Sequence, residues 1–309
     1  MAHHHSHAHV HADFESGDRR VFLAIVVNGL LTAAQVVAGI LSGSLALIAD
    51  ALHNLSDMAS LVIGFTARKV ARRPADARMS FGYARVEVVA ALVNYTTLIL
   101  VGAYLIYEGI MRIVEPTEVT GWVVVVVAAL ALIVDAITAL LTYSMQKGSV
   151  NIRALFLHNL SDALASIAVM VAGTLIILFD AVWVDPAITI GIAVYILYLG
   201  LTEIGGPIRT LMLCSPPDID GEAVISTLRE VDGVQDVHHV HLWQMQEHEA
   251  SLDAHVVLTE VGWQRLEAVK SELKTALGNG FGILHSTLEF EHPEHAHTGA
   301  NTFGHVTSH

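Results

Sequence analysis

Six times between Val21 and Met212 the chain runs apolar for long enough to cross a bilayer: about Val21–Leu41, Ser44–Ala67, Val86–Ile113, Gly121–Tyr143, Leu155–Leu178 and Val184–Met212. Crossing about 30 Å of hydrocarbon takes roughly 20 helical residues. The chain therefore reads as an α-helical membrane protein with six transmembrane helices. Composition agrees, since 53% of the 309 residues are hydrophobic, 15% are charged and the mean hydropathy is +0.56, apolar beyond the usual globular mix. The runs stop after Cys214, the single cysteine, which excludes an internal disulfide and a Cys-rich metal site. The opening "MAHHHSHAHVHADFE" has no apolar core, so no cleavable signal peptide is expected.

Basic residues set the orientation. Arg19 and Arg20 precede the first run, Arg68, Lys69, Arg72, Arg73, Arg78 and Arg85 fill the second connection, and Lys147 and Arg153 flank the fourth, all on one side with Arg209. The alternate connections hold Arg112 beside Glu115, Glu118, Asp180 and Asp185. The positive-inside rule then puts both termini of this multi-pass chain in the cytoplasm.

From Pro216 onward the composition is that of a small soluble domain. Residues 216–309 carry fifteen acidic residues against four basic ones, a balance of −11 within a whole-chain charge of −14. "GEAVISTLREV" reads as a helix, "VQDVHHVHLWQM" and "ASLDAHVVLT" as alternating strands, "WQRLEAVKSELKTAL" as an amphipathic helix and "GILHSTLEFE" as a last strand. The αββαβ order predicts a compact α+β sandwich over 216–292. The His-rich ends, 1–18 and 293–309, are too poor in apolar residues to be expected to fold. The transmembrane domain is bounded at 19–215, and no nucleic-acid partner is expected.

Two of the apolar runs share an anomaly. "ADALHNLSDMASLV" places Asp50, His53 and Asp57 in apolar surroundings, and "RALFLHNLSDALASIAVM" repeats the pattern with His158 and Asp162. Residues four apart share a helix face, so His53 with Asp57 and His158 with Asp162 are each a two-pronged chelator. Two imidazole nitrogens and two carboxylates suit tetrahedral zinc and, less selectively, cobalt or cadmium. The geometry requires the second and fifth helices to touch. A lone polar residue is explained by a hydrogen bond between helices, but Asp57 and Asp162 together cost on the order of 6 kcal/mol on insertion scales. Of nineteen histidines, six lie in the N-terminal tail and eleven at or beyond His238, leaving His53 and His158 for the membrane region. Buried membrane charges mark a transport path.

Asp50 lies one turn before His53, but its counterpart in the repeat is Leu155, so it stands outside a symmetric ligand set. It either relays protons or orients His53, or is held by interhelical hydrogen bonds. Asp135 in "LIVDAITALL" is a candidate cavity residue with an open role, and Asn28, Gln35 and Asn94 read as helix-interface groups.

These strings, with "SGSLALIADALHNLSD", "FGYARVEVVAALVN", "WVDPAITIGIAVYILY", "VHHVHLW" and "ILHSTLEFE" in order along the chain, resemble the cation diffusion facilitator family and its zinc-exporting bacterial branch. The resemblance implies six helices, a cytosolic metallochaperone-like domain, a homodimer in the lipid bilayer of the cytoplasmic (inner) membrane, and export of zinc or other divalent metal ions coupled to proton entry. It also implies a transport site at His53, Asp57, His158 and Asp162. His238, His255 and His285 fall on positions that ligate cytosolic zinc in some members, with Glu289 as a substitute ligand because Thr287 stands where those members have a carboxylate. Strict alternation along the first tail strand puts Val237, His239 and His241 on one face and His238, Val240 and Leu242 on the other. On that pattern the neighbouring histidines do not share one metal.

Coupling has a simple basis. With reference pKa values of about 6.5 for His and 3.9 for Asp, protons compete with zinc mainly at the imidazoles. A site that loads from the neutral cytoplasm and releases where it is protonated is an antiporter by alternating access. An intramembrane metalloprotease would need a His-Glu-x-x-His string, and none occurs. A membrane metal sensor signalling through its acidic tail is the alternative function.

Overall fold

The computed structural model describes residues 14–145, 150–246, 249–296 and 301–304, with side chains at 14–27, 61, 141–145 and 150–158 outside that description. The chain divides into two compact units, 1–65 with 93–202 and 66–92 with 203–309.

The first unit is helical. Its elements are α1 (Phe14–Ser42), α2 (Leu45–Ala71, which runs on into the second unit), α3 (Val86–Val114), α4 (Gly121–Met145), α5 (Val150–Phe179) and α6 (Val184–Glu203). Among the described residues five helices are long and apolar enough to cross a membrane, and Asn28–Ser42 of α1 is a further apolar segment. Their outward faces carry exposed Leu30, Leu41, Phe65, Leu100, Leu140 and Phe179, an apolar surface that suits hydrocarbon and not water. The interior packs Leu45, Leu47, Leu105, Val124, Val169 and Ile196 with many alanines. Gly121 and Gly173 face each other, and a Cβ on Gly121 would lie 2.7 Å from the Gly173 carbonyl oxygen. Small residues thus let α4 and α5 approach closely, the usual solution where hydrophobicity cannot drive helices together.

The corner between α1 and α2 is fixed by polar contacts. Gly43 has φ 72° and lies against the Glu118 carbonyl, so neither its backbone nor its surroundings accept a side chain. Ser44 caps α2, its hydroxyl accepting from Leu47 N at 3.1 Å. Asp185, fully buried at the start of α6, accepts from Leu45 N at 2.7 Å, from Ala46 N at 3.3 Å and from the Ser44 hydroxyl. Arg112 of α3 donates to the Gly43 carbonyl. The sixth apolar run is one candidate span, Val184–Leu211, with an interruption near its end. α6 stops at Glu203 and α7 (Gly205–Leu211) follows, because Pro207 has no N–H for the helical bond back to Glu203.

The second unit is the α+β domain with α7, the α2–α3 connection and the adjoining ends of α2 and α3. α8 (Gly221–Arg229), β1 (Val234–Gln246), β2 (Glu249–Leu258), α9 (Glu260–Gln264), α10 (Leu266–Phe281) and β3 (His285–Glu291) follow the expected αββαβ order, with the second helix divided at Arg265. The sheet order is β1-β2-β3, with β1/β2 antiparallel and β2/β3 parallel. α8 and α10 cover one face through Val224, Leu228, Val269 and Leu273 against Val237, Val240, Leu252 and Val256. The other face carries the polar side chains described below.

Described elements reach into both His-rich ends. α1 begins at Phe14, inside the stretch expected to lie outside the fold, and residues 1–13 lie outside the described residues. After β3, Pro293–His295 form a 3-10 turn. Residues 301–304 then run along β1: His239 N donates to Asn301 O at 3.0 Å and Val240 N to Thr302 O at 2.9 Å. The β1 edge supplies the unpaired amides that a polar segment can answer, and Phe303 lies against Gly221.

Candidate metal sites

In the helical unit four polar residues of α2, Asp50, His53, Asn54 and Asp57, fall on one face of a 3.6-residue helix. His53 is 5% exposed, and its Nε2 lies 3.6 Å from Asp57 Oδ2 on the same helix and 3.3 Å from Asp162 Oδ1 on α5. The required meeting of α2 and α5 is therefore present. One donor atom from each of His53, Asp57 and Asp162 lies within 4.8 Å of the others, a spacing that can hold a metal ion. His158 sits one turn before Asp162 on α5, and its side chain lies outside the described residues. A cavity of about 370 Å³ reaches His53 between α5 and α6, lined by Ser161, Ala165, Ala168, Gly191 and Tyr195 among others. Tyr195 meets the His53 ring edge-on, with centroids 6.4 Å apart.

Asp50 is buried and accepts from Gln35 Nε2 of α1 at 2.6 Å, while Asn54 Nδ2 donates to Gln35 Oε1 at 3.1 Å. This chain of amides links α1 to the ligand-bearing face of α2. Asp50 also lies within electrostatic reach of His53, Asp135 and Asp162. Asp135 of α4 is buried and accepts from Ser166 Oγ of α5 at 3.0 Å. Asn94 accepts from Ser60 Oγ at 2.7 Å, the helix-interface role expected of it.

In the α+β domain the open sheet face gathers a second donor set. His238 Nε2 lies 3.4 Å from Glu291 Oε1, and His255 Nδ1 donates to the same oxygen at 2.7 Å. Glu291 and His238 are buried, and the three donor atoms lie within 4.8 Å of one another. Glu289 stands beside them, its Oε2 3.4 Å from His255 Nε2. His285 is not in the cluster: it pairs with Ser251, whereas His255 pairs with Glu289. Four residues of strand separate them, about 13 Å at 3.3 Å per residue. The third donor is Glu291, which alternation along β3 puts on the face of Glu289.

The expected alternation of β1 also fails. His239 has φ 53°, and the register slips between His238 and His241. This bulge sets two residues against one. Val237, Val240 and Leu242 all enter the core, while the His239 ring stacks on His255 at 4.6 Å and meets His241 at 5.1 Å. The neighbouring histidines thus gather on one face. In the α2–α3 connection, the Tyr83 hydroxyl first, then the Met79 and Arg78 amides, hold the Asp76 carboxyl below its ordinary pKa of 3.8.

Residues 21–212 match the cation efflux transmembrane domain and residues 216–293 the cytoplasmic domain of cation efflux proteins. The chain belongs to the cation diffusion facilitator family. A "Cadmium, cobalt and zinc/H(+)-K(+) antiporter" of Bacillus velezensis is 34% identical over 96% of this chain and 94% of its own. The metal cation efflux system protein CzcD of Cupriavidus metallidurans is 35% identical over 92% and 89%. The zinc transporter ZitB of Escherichia coli is 30% identical over the full length of both chains. Membership makes this a multi-pass membrane protein of cation efflux, not an enzyme of the usual kind.

Proposed function

We propose that this protein is an antiporter that exports zinc, with cobalt and cadmium as weaker substrates, from the cytoplasm in exchange for protons. The observation that carries this reading is the convergence of His53, Asp57 and Asp162 from α2 and α5 on a buried spot in an apolar helical unit. His158, one turn from Asp162, completes a tetrahedral nitrogen and oxygen set suited to zinc. The names of the relatives, which include zinc, cobalt, cadmium and H(+), support the substrate and the counter-ion.

Zinc and protons compete for the same lone pairs of His53 and His158. A conformation open to the cytoplasm loads metal onto deprotonated imidazoles, and one open to the other side exchanges it for protons, so each ion drives the other. Gln35, Asp50 and Asn54 hold the ligand face of α2, which supports a positioning role for Asp50. The chain works as a homodimer in the cytoplasmic membrane with both termini inside. Zinc held by His238, His255 and Glu291, with Glu289 beside them, offsets the −11 balance of each tail and draws two cytosolic domains together, favouring one transport conformation.

Flux of zinc, cobalt, cadmium and manganese into vesicles containing the purified protein tests the reading. Zinc should move fastest and manganese slowest. Binding of zinc without movement of any metal would make the protein a membrane sensor instead.

A further inference from the structure

The last turn of α2 carries Arg68 and Lys69, and the connection to α3 adds Arg72, Arg73, Arg78 and Arg85, six cations that divide into two groups. Arg85 turns to the α+β domain, donating to the Met245 carbonyl at 3.3 Å. The other five, Arg68, Lys69, Arg72, Arg73 and Arg78, are exposed. Among the described residues none of these five is ion-paired with a carboxylate, although the domain in the same unit is strongly acidic.

The one acid inside the connection bonds within its own turn. Asp76 Oδ1 accepts from Arg78 N at 2.8 Å and Met79 N at 2.9 Å, and Oδ2 accepts from the Tyr83 hydroxyl at 2.7 Å. Its lone pairs are used in closing the turn, which Gly82 completes at φ 75°. These bonds close the backbone turn from Asp76 to Tyr83 and leave the Arg78 side chain exposed. Beside it Met79 and Phe81 are 43% and 63% exposed, in a loop that an aqueous partner alone gives no reason to leave apolar.

Cations interleaved with exposed apolar side chains, on a turn joining two membrane-spanning helices, match the boundary between phosphate headgroups and acyl chains. We propose that this turn docks on anionic phospholipid headgroups of the leaflet that α2 and α3 enter, with Arg72, Arg73 and Arg78 on the phosphates and Phe81 at the acyl boundary. α2 carries His53 and Asp57, so the bound lipid also steadies the helix that bears half of the metal ligands. The docking itself does not depend on the transport reading.

Native mass spectrometry of the full-length protein, titrated with dioleoylphosphatidylglycerol or dioleoylphosphatidylcholine, tests this. The phosphatidylglycerol should be retained at least tenfold more tightly. The triple variant Arg72→Gln, Arg73→Gln, Arg78→Gln should lose about fivefold in affinity per removed charge, the equivalent of about 1 kcal/mol each. Phe81→Ala, which keeps every charge, should weaken both lipids by a similar smaller factor. Equal retention of the two lipids, or unchanged phosphatidylglycerol binding in the triple variant, would overturn the proposal. So would displacement of the lipid by inorganic phosphate or by a short single-stranded DNA, since the turn would then be a general anion site.

Discussion

Replacing Asp185 with Ala should release the Ser44 end of α2. The carboxylate is fully buried and accepts from Leu45 N at 2.7 Å, Ala46 N at 3.3 Å and the Ser44 hydroxyl. The two amides belong to the first turn of α2, whose N–H groups have no partner within their own helix. A hydrogen bond to a charged group contributes about 1.5–3 kcal/mol net, and loss of an N-cap costs about 0.5–2 kcal/mol. These figures describe overlapping contacts and do not add, so the expected destabilisation is about 3 kcal/mol. Asp185→Asn keeps one carbonyl acceptor and should recover roughly half of it.

Unfolding of the full-length protein in detergent micelles, followed by circular dichroism, measures the loss. Calorimetric zinc titration of the same samples measures its reach. His53 lies nine residues beyond Ser44, about 13 Å along the helix, so a loosened α2 should also bind zinc more weakly at the transport site. An Ala variant within about 0.5 kcal/mol of the parent, the range of ordinary surface changes, would show that this cap contributes nothing and that the reasoning is wrong.

Asp57→Ala or Asp162→Ala should abolish zinc flux while leaving unfolding of the α+β domain unchanged; undiminished flux in both rejects the site. His53→Asp should shift a zinc/cadmium competition assay toward cadmium, because an all-oxygen prong selects less by ligand softness, and an unchanged ratio would remove this histidine from selectivity. Glu291→Ala should weaken zinc binding in a variant already lacking Asp57 and Asp162, whereas His285→Ala should not; the reverse pattern would restore the His285 reading. Because the Asp76 pKa is lowered in the folded chain, its contribution is complete above the unfolded value and lost only as pH falls through the lower folded one. Hydrogen-exchange protection of the Arg78 and Met79 amides should therefore hold from about pH 8 to about pH 5, and a fall within that range would contradict the assignment.

The helices and the αββαβ order were legible because both rest on periodicity and run length, which survive without tertiary knowledge. The meeting of α2 and α5 followed from two His-x-x-x-Asp pairs that could be satisfied together only by contact. The candidate cytosolic cluster was half legible. His238 and His255 fall in it with Glu291, but the β1 bulge turns on the backbone of one residue, His239 at φ 53°, which leaves no mark in hydropathy. Glu291 could have been found by continuing the alternation of β3 past Glu289. Asp185 read as one more charge in an outer connection. Its partners lie 140 residues away at Leu45, and only Ser44 before an apolar run hinted that the start of α2 needed a cap. The pairing of 301–304 with β1 was hidden by the segment's polarity, since its partner is a strand edge and not a core.

The central claim is exchange of zinc for protons at one site, and simultaneous recording of both ions in the same vesicles tests it most directly. Vesicles carrying a zinc-sensitive dye and a pH-sensitive dye, given an outward proton gradient, should take up zinc while their interior becomes more alkaline. Dissipating the gradient with an ionophore should slow the zinc signal, and Asp162→Ala should silence both signals. Zinc uptake at the same rate with and without the gradient, or with no accompanying proton movement, would contradict the account.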